Sequence, residues 1–280
     1  MFGPRSVGIA VLLSASTASL LLLNRPHRVE ASIQNEAKRQ VESMLINEKS
    51  AAQNRSEYAY ISRERSDRTG GHLWTEKVVE TPTGKIRFLV EEDGHPLPPD
   101  RTAEERGRLA RYAADPAGFA KASQAGKDDE AHALALLEMV PRAFNFSNVR
   151  QQGGYTYIDF APDPAYDPRS IEERVLHNMV GTVVIDSNSM RLHHIEGRLP
   201  QDVSVGFGLL ATIRAGSHFA STRKPIDPPD WKTALISTNV SGHALFFKTI
   251  SRNEQAVHSD FQRVPNDISV PQAVALAEQP

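Results

Sequence analysis

Cysteine is absent from this chain of 280 residues. Its absence excludes disulfide bonds, thiolate catalysis, cysteine-based metal sites and acylation of an N-terminal cysteine. The folded protein must therefore depend on its core rather than on covalent cross-links. Hydrophobic residues make up 40% of the chain and charged residues 24%, which are ordinary values for a globular protein.

The chain also lacks a strong charge of either sign, since it carries 32 basic and 34 acidic residues. Such a balance gives no electrostatic footprint for nucleic acid and no polybasic patch for anionic lipid. We therefore expect no nucleic-acid partner and only transient contact with a membrane, if there is any.

Long apolar runs are missing except at the N-terminus, where residues 7–23 are uncharged and mostly apolar. Arg5 precedes this run, and Val29 and Ala31 supply aliphatic or small residues at the −3 and −1 positions of a cleavage site. The arrangement predicts a signal peptide over residues 1–31, cleaved after Ala31, and a periplasmic or secreted protein. An uncleaved membrane anchor is the alternative, although the run is short for a span of roughly 20 apolar residues. Cleavage would leave 29 basic and 33 acidic residues, a net charge of −4.

Recognisable catalytic and metal-binding motifs are missing as well. The ten histidines form no His-x-x-x-His or Glu-x-x-His frame, and His193 and His194, adjacent in a predicted strand, point to opposite faces. Asp159, Asp163 and Asp167 surround a proline-rich loop without the ligand frame of a calcium loop. We expect no catalytic residue, metal or cofactor. A hydrolase whose site forms only in three dimensions is an alternative, with Asp159 and His194 as its test residues.

What the sequence does contain is a regular alternation of helical and strand patterns. A helix is predicted from Ser32 to about Ala51, because apolar residues recur at helical spacing. They form an apolar stripe that contains a single charged residue. The stripe consists of Ile33, Ala37, Val41, Met44, Leu45 and Glu48. Such a stripe must lie on another part of the fold.

Strand patterns dominate the rest of the chain. Residues 58–92 show a period of two interrupted by GG and PTGK, which predicts three strands of an antiparallel meander. Strands resume at Phe144, and residues 181–199, GTVVIDSNSMRLHHIEGRL, predict a hairpin around the turn SNSM. The total is about ten strands.

Helical patterns return between these two groups of strands. One helix is predicted over residues 102–121, broken or kinked at Asp115-Pro116, and another from Lys127 to Val140. The predicted fold class is α+β: a large curved antiparallel sheet, or half-barrel, with an N-terminal helix and a central helical lid over residues 102–140. Residues 32–265 would form a single domain, followed by a flexible polar tail over 266–280.

Residues 174–199, RVLHNMVGTVVIDSNSMRLHHIEGRL, resemble the late hairpin of the periplasmic outer-membrane lipoprotein-sorting family. The shared features are a Gly-Thr-hydrophobic-x-Ile-Asp strand, a short turn, and an Arg-Leu strand that ends near Glu-Gly. The order of elements over roughly residues 56–263 is compatible with that family. The resemblance implies a half-barrel whose apolar concave face lies under a helical lid. In the well-known carriers this cavity receives the acyl chains of lipoproteins.

Apolar residues on the predicted strands are therefore the candidates for lining such a cavity. They are Trp74, Val78, Phe88, Val90, Tyr157, Phe160, Val183, Ile185, Ile195, Leu199 and Phe247, and the lid candidates are Leu134, Leu137 and Met139. An ordinary packed core is the alternative interpretation of the same residues. With a cavity, the predicted partner is a lipid, an acylated lipoprotein or another apolar ligand of the bacterial cell envelope. With a filled core, an envelope protein-interaction or sensor domain is expected instead.

Overall fold

The computed structural model describes residues 25–205, 211–244 and 248–279, and within them the chain forms an α+β fold around one antiparallel sheet. Thirteen strands belong to this sheet. They are β1 (Tyr58–Ser66), β2 (Leu73–Thr81), β3 (Gly84–Glu92), β4 (His95–Pro96), β5 (Phe144–Gln152), β6 (Tyr155–Pro162), β7 (Val180–Asp186), β8 (Arg191–Arg198), β9 (Val203–Val205), β10 (Ala211–Ile213), β11 (His218–Asp227), β12 (Asp230–Ala244) and β13 (Lys248–Arg263).

The strands follow the order β4-β3-β2-β1-β13-β12-β11-β8-β7-β6-β5, and β9 and β10 attach through the pairing of β10 with β12. The sheet does not close, so it forms a half-barrel. This confirms the predicted fold class. Chain neighbours pair within meanders, and the pairing of β1 with β13 places the first strand of the chain beside the last one, inside the sheet.

Six helices accompany the sheet in the described residues. They are α1 (Arg25–Gln53), α2 (Pro99–Ala114), α3 (Pro116–Leu137), α4 (Val140–Ala143), α5 (Ile171–His177) and α6 (Val270–Ala277). Some of these helices pack on one face of the sheet and others pack on the opposite face. We call the face under α1 the cavity face, and the face under α2 and α6 the outer face.

Helix α1 extends the predicted helix at both ends, and it begins before the predicted cleavage point after Ala31. The first 24 residues, which include most of the predicted signal peptide, lie outside the described residues. Ala37, Val41, Met44 and Leu45 are buried against β5 to β8, as the stripe predicts. Ile33 is 44% exposed, because this part of the helix lies beside the edge strand β5, where Gln34 bonds Asn145.

The central helices do not all lie on one face. Asp115 ends α2 and caps α3 by accepting a hydrogen bond from the Gly118 amide, so the predicted break is present. Phe119 belongs to the apolar cluster on the outer face, whereas Leu136 and Leu137 pack on the cavity face. Helix α3 therefore crosses the end of the β2–β3 hairpin, and only its second half covers the cavity face. The predicted lid over residues 102–140 is corrected accordingly, since α2 packs on the outer face with Leu109 buried.

The C-terminal segment differs from the flexible tail predicted over residues 266–280. Helix α6 packs on the outer face against β2 and β3, with Ala273, Val274 and Ala277 buried. Ser269 and Gln272 cap its start with reciprocal side-chain bonds. The prediction of a loose tail was wrong because Val270, Ala273, Val274 and Ala277 repeat at helical spacing and form an apolar stripe that packs on the sheet.

A row of cross-strand neighbours explains the two glycines of the hairpin 180–198. Phe160, Gly181, Gly197 and Phe219 are direct partners across β6, β7, β8 and β11. A Cβ atom on Gly181 would overlap the Glu196 carbonyl oxygen and lie 2.6 Å from Phe160 Cζ, and one on Gly197 would lie 2.7 Å from Phe219 Cε1. Because the two glycines have no side chains, the rings of Phe160 and Phe219 can lie directly over them.

We expect Gly181→Ala to lower the free energy of unfolding by about 2 kcal/mol, because overpacking beside a fixed backbone usually costs about 1–3 kcal/mol. Gly126→Ala in α3 is the matched control, since its added Cβ meets nothing within 4 Å. Alanine is favoured over glycine inside a helix, so this control should be at least as stable as the wild type. Urea denaturation followed by circular dichroism measures both changes. Wild-type stability of Gly181→Ala would contradict the close approach.

Candidate functional site

A cavity of about 650 Å³ lies between the cavity face of the sheet, the end of α1 and the second half of α3. This volume falls in the usual range for small-molecule sites, roughly 300–1,000 Å³. The strands supply its floor, and α1, α3 and α4 supply its walls. The cavity has two chemically different ends.

The apolar end lies over β5 to β8 and under the second half of α3. It is lined by side chains from the helices and from the sheet, among them the two phenylalanines of the glycine row. These residues are Leu134, Leu136, Leu137, Met139, Val140, Phe144, Phe160, Leu176, Met179, Leu192, Ile195 and Phe219. A surface of this kind can bind a hydrocarbon chain through burial alone, without a reactive side chain.

The polar end lies over β1 to β3 and β11 to β13. Its lining includes five cationic and four carboxylate side chains: Arg55, Lys85, Arg191, Arg223 and Lys232, with Glu48, Glu80, Glu130 and Asp230. Aromatic side chains lie among them. They are Tyr60, Trp231, His258 and Phe261. A ligand that filled both ends would therefore need an apolar part and a polar part.

Glu48 ties α1 to the sheet where the two ends of the cavity meet. Its carboxylate accepts hydrogen bonds from the Arg191 guanidinium at 2.7 and 3.3 Å and from the Leu192 amide at 3.0 Å. Arg223 donates to the same carboxylate. Burial favours the neutral form of Glu48, but the bond from Arg191 and the charges of both arginines outweigh it and lower the pKa. Glu48 is therefore a buried anion shared by β8 and β11.

Glu130 makes the corresponding connection for α3. One carboxylate oxygen is 2.8 Å from Lys85 Nζ on β3, and the other is 3.0 Å from Arg55 Nη1 in the segment after α1. Burial would raise the pKa of Glu130, but Lys85 and Arg55 outweigh burial and lower it. The two cations thus hold this part of α3 over the polar end.

Five of the predicted residues line this cavity. Phe160 and Ile195 lie on its floor, and the lid candidates Leu134, Leu137 and Met139 lie on its walls. Val183 and Ile185 are on the same face of the sheet but are fully buried in the core beneath α1. Some of the predicted residues on the cavity face therefore line a cavity, and others belong to a packed core.

Other predicted residues do not line the cavity. Leu199 is buried in a small core with Val203 and Ile213, next to the lining residue Met179. Val78 is fully buried opposite Tyr60, and Trp74 donates to Glu92 at the far end of β2. Phe247 lies outside the described residues.

Three predicted lining residues are on the wrong face. Phe88 and Val90 pack on the outer face with α2 and α6, because the β2–β3 register pairs Val78 with Arg87 and so turns Phe88 away from Val78. Tyr157 also faces outward, since it pairs with Val184 in the row next to the inward-facing Ile158. Strand periodicity sorts residues into two faces, but it does not say which face is which.

The sequence patterns did not mark the charged residues that line the cavity. They also did not mark four aromatic lining residues, Tyr60, Trp231, His258 and Phe261. A signal was present for Glu48, since a single carboxylate within the apolar stripe of α1 requires a buried partner. No comparable signal marks Arg55, Lys85 or Glu130, because their meeting depends on the path of α3 across the hairpin.

The polar groups of the outer face include the two residues named for the hydrolase alternative. Asp159 accepts hydrogen bonds from Arg150, Asn148 and Thr182. His194 bonds Thr222, two strands away from Asp159. Among residues 25–205, 211–244 and 248–279, no group of three or more His, Asp or Glu side chains is placed to hold a metal ion. No helix in these ranges is both long and apolar enough to cross a bilayer.

We expect Glu48→Gln to lower the free energy of unfolding by about 3 kcal/mol at neutral pH, because it leaves a buried arginine without its anion. The lowered pKa means that Glu48 stabilises the fold above the ordinary glutamate pKa, and that this contribution is lost as the pH falls through the folded-state pKa. The variant should therefore lose less stability on acidification than the wild type. Glu42→Gln, on the exposed face of α1, is the control, and denaturation at neutral and acidic pH is the measurement. Parallel pH profiles for Glu48→Gln and the wild type would contradict the assigned role.

No family model matches the chain, and no curated protein or solved structure matches it either. The resemblance of residues 174–199 to the lipoprotein-sorting family therefore stays a prediction from the sequence.

Proposed function

We propose that this protein is an exported, non-enzymatic half-barrel that binds a lipid, an acylated lipoprotein or another apolar ligand in the bacterial cell envelope. The observation that carries the proposal is the cavity of about 650 Å³ with an apolar end beneath the second half of α3. Export and the cell envelope rest on the sequence of residues 1–31 alone. A filled interior would favour the protein-interaction alternative, so the cavity supports the carrier.

Hydrocarbon burial provides enough free energy for such binding. Each methylene group transferred from water contributes about 0.8 kcal/mol, so ten groups contribute roughly 8 kcal/mol before the cost of ordering the ligand. Phe160, Ile195, Phe219 and the leucines of α3 supply the apolar surface. No nucleophile or general base is needed for this function.

The second half of α3 serves as the lid in this proposal. Its leucines are only partly buried, and its polar contacts include Glu130 with Arg55 and Lys85. Just beyond its end, Glu138 pairs with Lys49 of α1, with both side chains nearly half exposed. Exposed ion pairs are worth about 0–1 kcal/mol each. Opening this part of the helix to admit a ligand therefore costs far less than disrupting the core under α1.

A matched pair of substitutions in α3 tests the proposal. Ala133 and Ala135 are both exposed residues of this helix, but Ala133 lines the cavity and Ala135 does not. We expect Ala133→Trp to occupy cavity space and weaken the displacement of a fluorescent fatty acid about tenfold or more, while Ala135→Trp binds like the wild type. Native mass spectrometry after mild purification should show a bound lipid in the wild type. Equal binding by both variants, or repeated absence of lipid together with no binding of the fatty acid, would contradict the proposal.

A further inference from the structure

The polar end of the cavity contains more hydrogen-bond donors than its carboxylates use. Lys85 and Arg55 each donate to one oxygen of Glu130. An ammonium has three donors and a guanidinium has five. Among the described residues these are the hydrogen bonds that the two side chains make, so donors remain on both.

Tyr60 adds a donor of a different kind at the same place. Its side chain lines the cavity with the residue only 6% exposed, and its ring packs against His258 and Phe261 at centroid distances of 5.0 and 5.1 Å. Within the part of the chain that the structure describes, its hydroxyl makes no hydrogen bond. Its oxygen reaches the cavity and is not sealed in the core. Tyr60 therefore presents a hydrogen-bond donor to a ligand at this end.

The other carboxylates near this point already have partners. Glu80 accepts from Lys232 and from the Tyr58 amide, and Asp230 accepts from the Tyr58 hydroxyl at 2.9 Å. Glu57 lies 3.8 Å from Arg55, and burial raises the pKa of its carboxyl group. Glu130 differs from these carboxylates because it belongs to the lid helix, and opening the lid would withdraw it from its two cations.

We propose that the ligand carries a single anionic head group of the carboxylate type, which binds Lys85, Arg55 and the Tyr60 hydroxyl when the lid withdraws Glu130. This inference rests on the proposed function and specifies the class of ligand. A monoanion that takes the place of Glu130 leaves the charge balance of the two cations unchanged. The hydrocarbon chain of the ligand then lies toward Phe160 and Ile195, and the head group lies under α3.

The direct test compares two competitors with the same chain and different heads. Decanoate and decanol are used to displace a neutral dye, Nile red, from the full-length protein at neutral pH, where decanoate is ionised. We expect decanoate to bind about tenfold more tightly than decanol, since hydrogen bonds to charged groups are worth more than those between neutral groups. High salt should reduce this preference and leave decanol binding unchanged or stronger.

Variants assign the preference to the named residues. Lys85→Met, Arg55→Met and Tyr60→Phe should each reduce the ratio of decanoate to decanol affinity severalfold, with decanol binding retained. Lys49→Met is the control, because Lys49 also pairs with a glutamate beside the lid but does not line the cavity. Glu130→Gln should increase decanoate affinity, because a neutral amide competes poorly for the two cations. This gain cannot result from misfolding.

Three outcomes separate this inference from the proposed function. Equal affinity for decanoate and decanol would overturn the anionic head group and leave the apolar carrier intact. A decanoate preference that survives in Lys85→Met and Arg55→Met would place the anion elsewhere and overturn the assigned site. Failure of both competitors, together with no binding of Nile red, would overturn the proposed function itself.

Discussion

The position of α1 on the sheet depends on the buried carboxylate of Glu48. An anion this deep requires partners, and Arg191 on β8 and Arg223 on β11 supply them. Because the pairing fixes the end of α1 at the middle of the half-barrel, the apolar stripe of the helix covers β5 to β8 and stops there. One helix cannot cover a curved sheet of this width. The remaining part of the cavity face is left for the lid and for the space beneath it.

The two ends of the cavity follow from this arrangement. Under α1 the sheet forms a dry core, with Val183 and Ile185 fully buried. Beyond α1 the sheet has no equivalent cover, and strands β1 to β3 instead carry charged side chains on the cavity face. Glu64 and Glu76 share Arg68 and Arg87 there in an ionic cluster whose two carboxylates are buried. Ion pairs thus take the place of an apolar core on this part of the sheet, and Glu130 of α3 pairs with Lys85 of β3.

Sequence patterns predicted the elements well and their mutual placement poorly. The stripe of α1, the hairpin around SNSM and the break at Asp115 are local, and each is present in the structure. Phe88 was assigned to the cavity because its strand alternates, but alternation does not name the face, and the hairpin register decided it. The second half of α3 lies on the cavity face, where the sequence placed the whole lid over residues 102–140, whereas α2 and α6 lie on the outer face. Which helix covers which face depends on contacts distant in the sequence.

Residues that interrupt a pattern were the informative ones. Glu48 interrupts an apolar stripe, and the cost of burying its charge requires a partner such as Arg191. Gly181 and Gly197 interrupt two strands, and the space they leave is taken by Phe160 and Phe219, which form part of the cavity floor. Apolar strand residues, by contrast, are compatible with either face and with either a core or a cavity. For a curved sheet, the exceptions to the hydrophobic pattern therefore say more about the site than the pattern does.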